Sequence, residues 1–217
     1  DEFAYYASRL AEAGASIVGG CCGTTGEHIA ALKKAVDSKR RAQVQVAKKC
    51  FVSSATRIVE IPLDDSIVIG ERINPTGKKK LKEAYLNADT SYILREAVAQ
   101  ADAGADVLDV NAGVPGIDEA VQLAKTVEAI QGVCDLPLQI DTSNPAALER
   151  ALRIYNGKAL VNSVNGKEES MSGVFPIVAK YGGVVVALTL DENGIPPTAE
   201  GRLAIAKKIL SRGREYG

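Results

Sequence analysis

The apolar positions of this chain change period along its length, and each change marks an element. Phe3, Tyr6, Ala7, Leu10 and Ala11 recur at helical spacing, with Gly14 placed to end that helix. Ala15 to Gly20 reads as a short buried strand running into the tight turn Cys21-Cys22-Gly23. Thr24 with Glu27 fits a capping box opening a helix over about 27–36. From Ser38 the chain is charged and aperiodic, a linker over 38–65 with weak strand character at 56–61. Beyond it the pattern becomes regular. Predicted strands at 67–73, 106–111, 138–141, 159–163 and 183–190 alternate with predicted helices near 92–103, 118–131, 145–155, 171–181 and 198–211.

Strands alternating with helices of this length imply right-handed crossovers and a parallel sheet. The doubly wound sheet and the eight-fold barrel share that grammar, and the strand ends separate them. In Asp106 to Gly113, DVLDVNAG, the apolar run is broken by Asp109 and Asn111, which share one face because side chains alternate along a strand. Asp141 closes LQID and Asn162 closes LVN in the same way. A carboxylate or amide ending an apolar strand is costly unless partnered. Three successive strands with polar ends fit a site on the rim of a barrel better than a single switch point. The predicted fold is therefore α/β, a partial TIM barrel of about five βα units over 66–217, preceded over 1–37 by the last βα unit of another barrel.

These polar ends suit a flat heterocycle with an amidine-like edge, such as a pterin or purine, because a carboxylate facing two N–H groups makes a charge-assisted pair of bonds. Some of the same residues also read as braces: Asn144 before Pro145 has the form of a helix cap. Glu71, Arg72 and Asn74 in GERINPTG cannot all face a core cheaply, so an open rim is expected there. No P-loop signature is present, and Lys78-Lys79-Lys80 reads as a solvated loop, with attraction of an anionic ligand tail as the minor alternative. Vicinal Cys21 and Cys22 read either as small buried turn residues or as part of a thiolate metal site, which needs three or four ligands.

Composition narrows the partners. With 26 Lys plus Arg against 27 Asp plus Glu, the balance gives no argument for nucleic acid or an acidic membrane surface. No apolar run approaches the ~20 residues of a membrane span, and no leader pattern opens the chain. Four cysteines without disulfide-scaffold spacing fit a reduced, cytoplasmic setting. The chain begins without Met and stops just after a helical pattern, which reads as a fragment. The single His lies far from the strand-end cluster, so no Ser-His-Asp triad is expected, and a cobalamin-binding D-x-H-x-x-G signature is absent.

Two sets of motifs carry a family resemblance. Gly19 to His28, GGCCGTTGEH, resembles the end of the homocysteine S-methyltransferase domain. GERINPTG, DVLDVNAG, QIDTSNP and LVNSVNG resemble the pterin-binding, methyltetrahydrofolate domain that follows it in the cobalamin-dependent methionine synthase family. The resemblance implies methyl transfer from 5-methyltetrahydrofolate to a cob(I)alamin cofactor and on to homocysteine. It implies zinc on Cys21 and Cys22, with the third family cysteine expected before residue 1. It further implies pterin contacts from Asn74, Pro75, Thr76, Asp141 and Asn162, with Glu71, Asp109 and Asn111 as support on the same rim. Cobalamin would be held by another domain or a corrinoid protein, and the asparagine serving N5 of the folate would lie on a strand beyond Gly217. Two alternatives stand beside this: a dihydropteroate synthase-like pterin enzyme, against which the GGCC segment argues, and an inactive pterin-binding fragment.

Overall fold

A computed structural model describes residues 2–37 and 49–217. The chain divides into two units, 1–48 and 49–217. In the first, α1 (Glu2–Glu12) and α2 (Gly26–Asp37) pack on each other. The expected strand at 15–20 does not form, and Ile17 there is 93% exposed. A strand needs a neighbour for its backbone groups, and among the described residues of this unit there is none. The cap of α2 also differs from expectation by one residue. Thr24 Oγ1 accepts from Cys21 N, while His28 Nδ1 accepts from the Thr25 backbone N–H at 3.2 Å. His28 thus takes the place that Glu27 was expected to hold.

Of the predicted linker, residues 38–48 lie outside the described residues. Residues 50–61 are ordered as an antiparallel hairpin, β1 (Cys50–Ser53) with β2 (Ile58–Ile61), that belongs to the second unit. There follow β3 (Ile69–Ile73), α3 (Lys79–Leu86), α4 (Thr90–Asp102), β4 (Val107–Val110), α5 (Glu119–Gln131), β5 (Leu138–Asp141), α6 (Pro145–Ile154), β6 (Leu160–Asn165), α7 (Glu168–Tyr181), β7 (Val184–Leu188) and α8 (Ala199–Arg214). The five strands β3 to β7 are all parallel and lie in chain order, each followed by helix. This is the five-unit partial barrel expected, with one addition. The loop predicted after β3 contains α3, whose Leu81, Ala84 and Tyr85 are buried.

Strand alternation sorts the side chains into two cores. Leu108, Val110, Leu138, Ile140 and Val161 face the helices and join the main cluster with Leu123, Val127 and Leu148. Val107 and Leu160, with Val184 and Val186, meet Val52 and Val59 of the hairpin, which closes the end of the sheet where the strands begin. Burial of this order, at ~25 cal/mol per Å² of apolar surface, holds the strands so that polar side chains are needed at only one end. The next inward residues along the strands are Asp109, Gln139 and Asn162.

Candidate functional site

The site begins with register. Asp109 pairs with Gln139 across β4 and β5, and Asp141 pairs with Asn162 across β5 and β6, so each pair shares a face of the sheet. The hydrogen bonds follow from that alignment. Gln139 Nε2 donates to Asp109 Oδ1. Asn74 Nδ2 reaches from the end of β3 to both carboxylates, Asp109 Oδ2 at 3.2 Å and Asp141 Oδ2 at 2.8 Å. Asn111 Nδ2 donates to the same Asp141 Oδ2 at 3.0 Å. Residues distant in sequence thus form one network of amides and carboxylates.

Its orientation is determined. Asn74 Oδ1 accepts from Thr76 N and Asn111 Oδ1 from Gly113 N, so neither amide can be reversed without placing donor against donor. Tyr85 Oη donates to the Asn111 carbonyl at 2.9 Å. Beside Asp141, Thr142 Oγ1 donates to Glu119 and accepts from Asn144 N. Asn144 caps α6 with Pro145 in its first turn, the brace that the sequence suggested.

Both carboxyls are held above the ordinary carboxylate range. For Asp109 burial is the main cause, opposed by the Gln139 amide and reinforced by the neighbouring Asp141. For Asp141 burial again leads, opposed by the Asn111 and Asn74 amides. Two filled acceptor positions lie on Asp141 Oδ2, whereas Oδ1 has no protein donor among the described residues. A cavity of about 290 Å³ is lined by Asp141, Thr142, Ser143, Asn162, Ser163 and Asn165 among others. A larger cleft of about 520 Å³ lies at the opposite end of the strands, against the hairpin turn and the C-terminal ends of α4 and α5. It gathers none of the strand-end amides and carboxylates, so the smaller cavity is the better site.

The structure brings Asn74, Asp109, Asn111, Asp141 and Asn162 together. Pro75 and Thr76 form the turn next to Asn74, where Thr76 contributes its backbone N–H. Glu71 turns to Lys78, with Oε2 to Nζ at 2.9 Å. Gln139 was not among the expected residues, although its place two before Asp141 on an alternating strand puts it on the same face.

In the first unit Cys21 and Cys22 are exposed, with their sulfurs 3.7 Å apart, so they are not buried turn residues. Gly23 at φ +82 completes the turn, in which Thr24 N donates to Cys21 O. Hydrogen bonds from Cys22, first its backbone and then its side chain, hold the Cys21 thiol below its usual range. Among the described residues no group of three or more His, Cys, Asp or Glu is placed to hold a metal. His28 is occupied by its helix cap.

A parallel βα sheet with an amide–carboxylate cluster on its C-terminal rim defines a barrel-type ligand-binding protein. Residues 70–215 match the family of pterin binding enzymes, and this chain belongs to that family. Residues 1–36 match the homocysteine S-methyltransferase family. The chain is 35% identical over 211 residues to a methionine synthase of Mycobacterium tuberculosis and 32% identical over 216 residues to one of Mycobacterium leprae. Each match covers 94% of this chain and 18% of the relative, so the chain spans about a fifth of their length. Dihydropteroate synthases share the fold. That of Vibrio fischeri superposes with TM-score 0.56 at 17% identity, covering 77% of this chain and 62% of its own. That of Stenotrophomonas maltophilia gives 0.57 at 18%, covering 77% and 61%.

Proposed function

We propose that this chain supplies the folate site of a methionine synthase-type methyltransferase. 5-Methyltetrahydrofolate would lie over β5 and β6 with its pyrimidine edge on Asp141 and Asn162. The observation that carries this reading is the state of the Asp141 carboxylate. A carboxylate has about four acceptor positions; two on Oδ2 are filled by Asn74 and Asn111, Oδ1 has no protein donor among the described residues, and Asp141 lines the cavity. The remaining positions suit the paired N–H groups of a pterin, in a charge-assisted contact. Asn162, the register partner of Asp141, would offer an amide donor and acceptor to the same ring. The Asn74 and Asn111 amides keep Asp141 oriented before the ligand arrives, which reduces the ordering cost of binding.

A corrinoid presented by a separate domain or protein would supply the nucleophile that removes the methyl group. In the first unit, the 3.7 Å between Cys21 and Cys22 sulfurs fits two corners of a tetrahedral zinc site, whose sulfurs at ~2.3 Å from the metal stand ~3.8 Å apart. Those two thiolates would hold zinc with ligands from elsewhere, and the metal would favour ionisation of the homocysteine thiol. The match of residues 1–36 to homocysteine S-methyltransferases favours methyl transfer over a dihydropteroate synthase-like condensation on the same pterin floor.

Titration calorimetry of 5-methyltetrahydrofolate against Asp141→Ala is the test. The variant should lose affinity by ten- to a hundredfold, roughly the 1–3 kcal/mol of pterin N–H groups left unpaired. Unchanged affinity would remove the assignment.

A further inference from the structure

Lys78-Lys79-Lys80 looks in sequence like three equivalent solvated cations, and the structure separates them. Lys79 is exposed and, among the described residues, pairs with its helix neighbour Glu83 at 3.9 Å. Lys78 is turned inward, its side chain 27% exposed. Its ammonium donates to the Glu71 carbonyl at 2.9 Å, to Glu71 Oε2 at 2.9 Å and to the Asn74 carbonyl at 3.1 Å. An ammonium has three protons. All three are spent on the segment that ends β3 and carries Asn74.

That segment needs a restraint. Pairing of β3 with β4 loses regular register between Gly70 and Ile73, where Ile73 O again accepts from Asn111 N at 2.9 Å, so Glu71 and Arg72 just before Asn74 lie outside the regular ladder. The turn Pro75-Thr76-Gly77-Lys78 doubles the chain back, with Lys78 N donating to Pro75 O and Gly77 at φ +73, a conformation glycine adopts without strain. The doubling returns Lys78 over Glu71 and Asn74. The Asn74 amide is in turn the one donor shared by Asp109 and Asp141.

We propose that Lys78 is a positioning residue that aims the Asn74 amide at Asp141 and so sets pterin affinity without touching the ligand. This rests on the pterin-binding reading of the site. It makes a definite distinction from a lysine that attracts the anionic tail of a folate, because an ammonium with every proton committed inside the protein has none left for a carboxylate.

The experiment measures dissociation constants for two probes on the full chain, tetrahydrofolate and a tetrahydropterin lacking the aminobenzoyl-glutamate tail. Lys78→Met should weaken both by about tenfold, the cost of one misdirected hydrogen bond, whereas Lys79→Met leaves both unchanged. Lys78→Arg, whose planar fork cannot reproduce three tetrahedral donors, should lose part of the affinity for both probes. In an Asn74→Ala background Lys78→Met should add little, because its effect passes through Asn74. Thermal melting of each variant establishes that it is folded, and Lys78→Arg carries the test should Lys78→Met not fold.

Loss for the tailed probe alone would make Lys78 a ligand contact and overturn the proposal. So would full additivity with Asn74→Ala, or unchanged affinity in both Lys78 variants while the unsubstituted chain binds. Failure of the unsubstituted chain to bind either probe would remove the pterin reading itself, and this inference with it.

Discussion

In the proposed site Asp141 would grip a pterin's N–H edge only as an anion, yet its burial and the neighbouring Glu71 and Glu119 charges hold its proton on to higher pH than an exposed aspartate would. The sign follows directly. A raised carboxyl pKa in the folded state means that the group favours folding below its unfolded value, and that this contribution disappears as pH rises through the folded value. Above their raised values the ionised carboxylates of Asp109 and Asp141 are therefore a local cost to stability. Binding runs the opposite way. Folate affinity should be full near neutrality and fall on acidification, with the fall centred above the ~3.9 of an unperturbed aspartate. Isotherms collected between about pH 4 and 8 check this; affinity that stays flat down to the ordinary aspartate range would contradict it. Asp109, Asn111, Asp141 and Asn162 were legible because each interrupts an apolar alternation at a strand end. Gln139 was not, since an uncharged amide breaks the pattern weakly and its partner Asp109 lies thirty residues away. Lys78 was hidden by the two exposed lysines beside it.

Among elements, the parallel strands and their helices were legible because period and length both distinguish them, and the misreadings came where tertiary pairing decides. Ala15 to Gly20 has strand composition but no neighbouring strand among the described residues of its unit. Residues 50–61, where only 56–61 read as weak strand, form the hairpin because it has a place to pack. Tyr155 makes that place. Its hydroxyl accepts from Leu138 N at 2.9 Å and donates to Ser53 O at 2.8 Å, joining β5 to β1, and burial pushes its pKa up to about 12. Gly157 admits the close approach, since a Cβ there would stand 2.1 Å from Ser53 O. Tyr155→Phe keeps the ring and removes the link, leaving the Leu138 N–H without a partner while Ser53 O keeps its bond from Lys158 N at 3.0 Å. It should cost about 1–3 kcal/mol in urea unfolding, with loss of protection in the hairpin amides by hydrogen exchange. A change below about 0.5 kcal/mol, the range of an inert surface substitution, would mean that the hairpin is held by Val52, Val59 and the backbone pairing of Ser53 with Lys158.

At the scale of the whole second unit, the sheet order β3-β4-β5-β6-β7 leaves β3 and β7 each paired on one side only. Apolar side chains stand at both edges: Val68, just before β3, is 58% exposed, Ile69 on β3 37% and Leu188 on β7 39%. An unpaired edge with apolar flanks offers both free backbone groups and hydrophobic area, the combination that drives strand-to-strand association. Helices do not relieve it, because Leu203 and Leu210 on α8 are also more than half exposed. The 217-residue chain should therefore self-associate with rising concentration in sedimentation velocity runs. Ile69→Lys places a charge on the β3 edge, and natural edge strands use lysine to block such pairing. That variant should shift the distribution towards monomer while leaving Asp109 and Asp141, on the far side of Asn74, in their network. A chain that stays monomeric without the substitution would contradict this. Association unchanged by Ile69→Lys would instead locate the contact at β7 and α8, where Leu188→Lys is the matching test.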